Sequence, residues 1–119
     1  MKGIFDLLEK IRVRPGMYIG HISAHDLFIF LEGYQTARQE LGIELTQAEI
    51  EFYDEFQPWL QERYNISISA SWAKIIEFYT GSDERAFHRF FELLDEFWGR
   101  HEQIGTDLVE QEIEVVKAN

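Results

Sequence analysis

Two short acidic runs carry the side chains most often used for acid–base work or for holding metals. They are Glu51-x-x-Asp54-Glu55-Phe56 and Glu92-x-x-Asp95-Glu96-Phe97. On a helix the three acids of each run share a face, because residues three and four apart are neighbours, and their like charges repel by a few tenths of a kcal/mol per pair. A catalytic carboxylate pair needs partial burial to drive its two pKa values apart. A di-iron bundle needs Glu-x-x-His, which neither run contains. Both runs sit opposite an aromatic stripe on the helical wheel, so both are expected to face solvent. Two readings follow: a solvated helix face, or an acidic docking surface for a basic partner. The second makes Glu51, Asp54, Glu55, Glu92, Asp95 and Glu96 the candidate partner-binding residues.

His21 and His25 are spaced i, i+4 and could share a face for zinc, but no third ligand accompanies them in either usual pattern. Histidines at a helix start more often cap it or face solvent. Ser23, Ser67, Ser69, Ser71 and Ser82 each suit a cap or a turn, and none lies in a Gly-x-Ser-x-Gly elbow. There is no cysteine, which excludes disulfides and thiolate metal sites. The expectation is therefore a protein with no catalytic residue, no cofactor and no metal. A small-molecule pocket lined by Tyr18, His21 and Trp72 remains as the competing arrangement, although Trp72 suits a core position beside Phe56 or Phe91.

The string Arg14-Pro15-Gly16-Met17-Tyr18-Ile19-Gly20 is the least common in composition. Pro15 fixes its own φ and Gly16 tolerates a positive one, so Pro-Gly is expected at the centre of a type II turn. The string resembles the N-terminal segment of gyrase-type ATPases, where it lies close to the nucleotide. That pocket also needs an acid-Asn pair on the next helix and an Asp-x-Gly-x-Gly loop, since a phosphate cradle is built from backbone N–H groups that glycines expose. Here the next helix reads Leu27-Phe28-Ile29-Phe30-Leu31-Glu32-Gly33-Tyr34, and no two glycines lie two residues apart. Arg14, Pro15, Gly16, Tyr18 and Gly20 are thus expected to be structural, as is Trp72.

The chain has 119 residues, 22 acids against 11 Lys and Arg, and a formal charge of −11. The first 43 residues balance, while 44–64 carry six acids against one base and 101–119 five against one. Such a field repels nucleic acid and anionic membranes and attracts basic proteins; solubility alone is the plainer reading. Ten Phe, five Tyr and three Trp supply the burial that disordered chains lack. The acidic residue in Met1-Lys2-Gly3-Ile4-Phe5-Asp6 argues against a secretory signal, and the longest apolar run, residues 27–31, is about a quarter of a membrane span. A cytoplasmic location is the expectation.

The elements that must position these residues are helical. Ile4, Leu7, Leu8 and Ile11 recur at helical spacing and predict a first helix ending before Pro15. Ser23 or His25-Asp26 starts a second, with Leu27, Phe28, Leu31, Tyr34 and Leu41 on one face and Gly42 as its stop. Thr46-Gln47-Ala48-Glu49 is a capping box for a third helix carrying Phe52, Tyr53, Phe56, Trp59 and Leu60. Pro58 is expected to kink or break that helix, with a new turn running to Tyr64. Residues 65–70 alternate and suggest a short extended connector. Ser71 caps a fourth helix ending at Gly81. Ser82-Asp83-Glu84 starts a fifth, with Phe87, Phe90, Phe91, Leu94, Phe97 and Trp98 as its stripe and Gly99 as its end. The fold class is all-α, a single bundle of about five helices over residues 1–103. An acidic tail, 104–119, is a helix, a pairing segment or a mobile arm.

An ordered set of residues runs through these elements. It comprises Ile11-x-x-Arg14-Pro15-x-Met17-Tyr18-x-Gly20, Leu31-x-Gly33-Tyr34, Phe56-x-x-Trp59-Leu60, Ser71-Trp72-x-x-Ile75-Ile76-x-Phe78 and Phe90-Phe91-x-Leu93-x-Asp95-Glu96-Phe97. The set, spanning residues 4–98, resembles small bacterial immunity proteins of polymorphic-toxin and contact-dependent inhibition systems. The resemblance implies a cytoplasmic, cofactor-free binding protein that neutralises a toxin domain by direct contact. The alternative expectation is a structural or regulatory interaction module, monomeric or homodimeric through the tail.

Overall fold

The first helix is set by its own apolar spacing: Ile4, Leu8 and Ile11 are fully buried along one stripe of α1, Ile4–Val13. The computed structural model describes residues 3–99. Helix α1 stops at Arg14 because Pro15 disfavours helical geometry in the residue before it, and Arg14 takes φ −137° and ψ 67°.

The Pro-Gly pair does not form the expected type II turn. Pro15 is instead the first residue of a short helix, α2, Pro15–Ile19. The missing N–H of a proline costs nothing at that position, and its fixed φ already suits a helix. Gly16 therefore needs no positive φ; Gly20 has it, at 82°, as the left-handed stop of α2.

Helix α3, Ala24–Glu40, begins at Ser23, whose hydroxyl accepts the Asp26 N–H at 3.0 Å. Ala24, Leu27 and Leu31 are buried, and Phe28 and Tyr34 pack partly against the core. Leu41, expected on that face, is 75% exposed; it lies past the end of the helix, where the chain reverses at Gly42 with φ 70°.

Helix α4, Gln47–Arg63, carries the expected capping box. It is not broken at Pro58. Pro58 faces solvent, so water can satisfy the Asp54 carbonyl that loses its N–H partner. Phe56 before it and Trp59 and Leu60 after it are buried, which holds both halves to the core. The connector that follows forms no strand. Two α4 glutamines one turn apart tie it down instead, Gln57 donating to the Ala70 carbonyl at 2.5 Å and Gln61 to that of Ile68 at 2.9 Å.

Ser71 caps α5, Trp72–Thr80, which ends at Gly81 with φ 84°. Ser82 caps the sixth helix, α6, by accepting the Arg85 N–H at 3.1 Å. The helix runs from 83 through 99, the last described residue; its stop and the expected boundary at residue 103 lie outside the described residues, as does the tail 104–119. The protein is all-α, with α2 the helix that the sequence pattern missed, and no strand occurs among the described residues.

The core is aromatic and centred on Phe56. Its ring lies 5.3 Å from Phe52, 5.9 Å from Trp59, 5.6 Å from Phe90 and 5.5 Å from Phe97. Trp72 fills core space as expected beside Phe56, but it stacks on Phe90, at 4.3 Å, rather than on Phe91. Each such ring pair adds about 0.5–1.5 kcal/mol to the area it buries, so α4, α5 and α6 are joined mainly through rings.

Candidate functional site

The two acidic runs, alike in sequence, end in different electrostatic settings. On α6 each acid meets an arginine. Glu92 takes Arg89 at 2.8 Å, Asp95 takes Arg12 of α1 at 3.2 Å, and Glu96 takes Arg63 of α4 at 2.7 Å. Hydrogen bonding to Glu96 and to Glu92 raises the pKa of Arg63 and Arg89 respectively. These pairs are solvent-exposed, and each stabilises by about 0.2–1 kcal/mol at most. Their larger effect is to cancel the field of the run, which is charge-compensated at the surface.

On α4, Glu51 is half-buried, while Asp54 and Glu55 are exposed. Asp54 makes no ion pair among the described residues. On α3, exposed Glu32 likewise has no cation among the described residues, and it is one of the residues that line a cavity of about 170 Å³. Phe28, Phe52, Tyr53, Phe56 and Trp72 wall that cavity. Burial, with Glu49 second, raises the pKa of Tyr53 far above that of a free phenol, so the hydroxyl stays protonated.

Arg14, Pro15, Gly16, Tyr18 and Gly20 lie on or beside α2, which sits against α1, and of these Tyr18 packs partly against the core. Val13 and Met17 are more than two-thirds exposed there, and the Arg14 guanidinium lies 3.9 Å from the Met17 sulfur. Tyr18 lines an open hollow between α1 and α2, Trp72 lines the cavity beside α3 and α4, and His21 lines neither. Neither of these two cavities brings Tyr18, His21 and Trp72 together. The His21 Nε2 lies 2.5 Å from an Asp26 carboxylate oxygen, and His25 gives its backbone N–H to Asp83 at 2.9 Å. Among the described residues, no three His, Cys, Asp or Glu side chains come together to hold a metal. No described helix is long and apolar enough to cross a membrane.

Sequence reasoning missed a buried ion pair. Glu49, the capping-box acid, is fully buried and accepts the Thr46 N–H at 2.9 Å, the Ile4 N–H at 3.2 Å and two guanidinium nitrogens of Arg38. Burial alone would raise its pKa, but Arg38 and the two backbone donors outweigh it, and the carboxyl is held below its ordinary value. Arg38 is 6% exposed, and Tyr34 stacks beneath it with the ring centre 5.3 Å away. One signal was available: Arg38 falls on the apolar stripe of α3, eleven residues after Leu27 and seven after Leu31. This pair joins α1, α3 and α4 and backs the wall that carries Tyr53.

A second surface feature is apolar. Ile66, Ile68, Ala70, Ile75, Phe78 and Tyr79 form a groove between the connector and α5, with Phe78 79% and Ile68 62% exposed. Exposed aromatic surface of this kind commonly marks contact sites.

Compared with known proteins, the chain matches no family model, no curated protein and no solved structure.

Proposed function

We propose that the chain is a non-catalytic binding protein that docks a basic protein partner. In the immunity reading that partner is a bacterial toxin domain, held inactive in the cytoplasm. One observation carries the reading: in a chain of charge −11, the three acids of the α6 run are compensated by arginines, while Asp54 and Glu32 stand without a cation among the described residues. Compensation that is selective leaves a directional field on the α3–α4 side, and a directional field speeds encounter with a basic cleft. The six candidate residues divide accordingly. Glu51, Asp54 and Glu55 belong to the proposed docking face, whereas Asp95 and Glu96 pin α6 to α1 and α4 and Glu92 pairs with Arg89 on its own helix.

The exposed groove around Phe78 favours a second reading, an interaction module that self-associates through that groove. Sedimentation separates the two, since only the second requires a homodimer at micromolar concentration.

The test pairs this chain with the polypeptide encoded beside it, by growth rescue on co-expression and by stopped-flow association at low and high salt. Asp54→Lys should slow association about tenfold at low salt and flatten the salt dependence. Asp95→Lys should lower stability but leave the association rate nearly unchanged. An unaltered rate for Asp54→Lys removes the α4 face from the interface.

A further inference from the structure

We infer that the aromatic cavity between α3, α4 and α5 is a socket for one arginine side chain of the docked partner. The inference rests on the docking reading and adds to it the anchor and its chemistry.

The argument begins with size. At about 170 Å³ the cavity falls below the roughly 300 Å³ at which clefts begin to take drug-sized ligands, and matches a single side chain. The walls come next. Five aromatic residues line it, and Phe90 already covers one face of the Trp72 indole at 4.3 Å, so the remaining ring surfaces of the cavity are what an occupant meets. Aromatic faces attract cations placed within about 6 Å of the ring centre.

Charge decides the class of occupant. Exposed Glu32 is part of the lining, Gln57 and the unpartnered Tyr53 hydroxyl are its other polar groups, and exposed Asp54 lies on α4 one turn before Gln57. An uncharged apolar occupant would strip water from Glu32 and leave it unpaired, which is costly. A cation removes that cost. Gln57 gives its amide nitrogen to the Ala70 carbonyl, which leaves its amide oxygen free to accept a hydrogen bond.

Between the two basic side chains, guanidinium suits the site better. It is planar, weakly hydrated and able to lie against rings while offering two parallel N–H bonds to a carboxylate. Ammonium holds its water more strongly and has no flat face. Arginine is also the cationic residue enriched at the energetic centres of interfaces.

The test uses the full chain without any partner, so its outcome is independent of the docking experiment. Indole and aromatic resonances are followed while N-acetyl-arginine amide is titrated to tens of millimolar, with the citrulline and lysine analogues as comparisons. The expected result is a saturable shift of the Trp72 indole N–H and the Phe28 and Tyr53 rings. The citrulline analogue, equal in shape but uncharged, should bind at least about tenfold more weakly, and the lysine analogue should also be weaker. Glu32→Gln, at an exposed position, should raise the dissociation constant about tenfold at an unchanged melting temperature. Equal binding of citrulline or lysine, no effect of Glu32→Gln, or no shift at all overturns the socket. If the socket fails while Asp54→Lys still slows association, docking survives without it. If the arginine probe binds while Asp54→Lys changes nothing, the cavity takes a guanidinium but the α4 face is not in the interface, and the cavity's role as an anchor for the docked partner falls.

Discussion

Removing the Glu49 carboxylate tests the account of how α1, α3 and α4 are held. Glu49 is wholly buried and serves four donors: the N–H groups of Ile4 and Thr46 and two nitrogens of Arg38. In Glu49→Ala the Arg38 guanidinium stays where α3 puts it, 6% exposed and without its counter-charge. Breaking one side of a buried pair costs about 3–5 kcal/mol, mainly because the remaining charge is stranded. The total stability of a domain this size is about 5–15 kcal/mol, so about a fifth or more of it is at stake. At roughly 4 °C per kcal/mol, the melting temperature should fall by about 12–20 °C. Glu49→Gln keeps the shape and one acceptor oxygen but turns an N–H toward a donor, and should lose about 2 kcal/mol. The double variant Arg38→Met, Glu49→Leu removes both charges. Because well-packed apolar replacements of buried pairs are often neutral, it should be less destabilised than the two single changes added together. Urea denaturation followed by circular dichroism at neutral pH, on the four proteins, measures the coupling. A loss below about 1 kcal/mol for Glu49→Ala, or simple additivity in the double variant, refutes the buried-pair account.

Two further expectations come from the same region. A Cβ added at Gly3 would lie 2.8 Å from the Glu49 Oε2, on a backbone whose φ is +81°. Gly3→Ala should therefore cost about 1–3 kcal/mol in the same urea assay, and a loss of a few tenths would show that the contact relaxes freely. Acid pH should act through Glu49 and Asp83. For Asp83, burial pushes the pKa up, but the Ser23 hydroxyl and the N–H groups of His25 and Ala24 bring it below its ordinary value. A carboxyl with a depressed folded-state pKa contributes stability above its unfolded pKa and loses it as pH falls through the folded value. The melting temperature should stay level from neutral pH down to about 5 and fall below about pH 4. Glu49→Gln should show a shallower acid slope; equal slopes would assign the acid sensitivity to other groups.

Much of the fold was legible because its signals are local. Ser23, Thr46, Ser71 and Ser82 each cap a helix from within three residues, and Gly20, Gly42 and Gly81 each take the positive φ that ends one. The Pro-Gly pair was misread because the same dipeptide starts a helix as readily as it turns a chain; the choice falls to Tyr18 and Ile19, which pack against the core. The effect of Pro58 was misread because its penalty depends on what buries the residues around it. Of the candidate site, the acids were visible but their partners were not. Arg12 and Asp95 are 83 residues apart, and Arg63 and Glu96 are 33 apart.

The sequence alone determined that this chain is a set of capped, aromatic-faced helices with an excess of acid, since helix spacing, caps and charge depend on neighbours a turn away. Tertiary structure alone decided which acids keep their field. Helix packing brings Arg12 and Arg63 to α6, sinks Glu49 against Arg38, and leaves Glu32 beside an aromatic cavity. The reason is range: a cap is satisfied within one turn of helix, whereas neutralising a charge requires a cation that only the crossing of two distant helices can deliver.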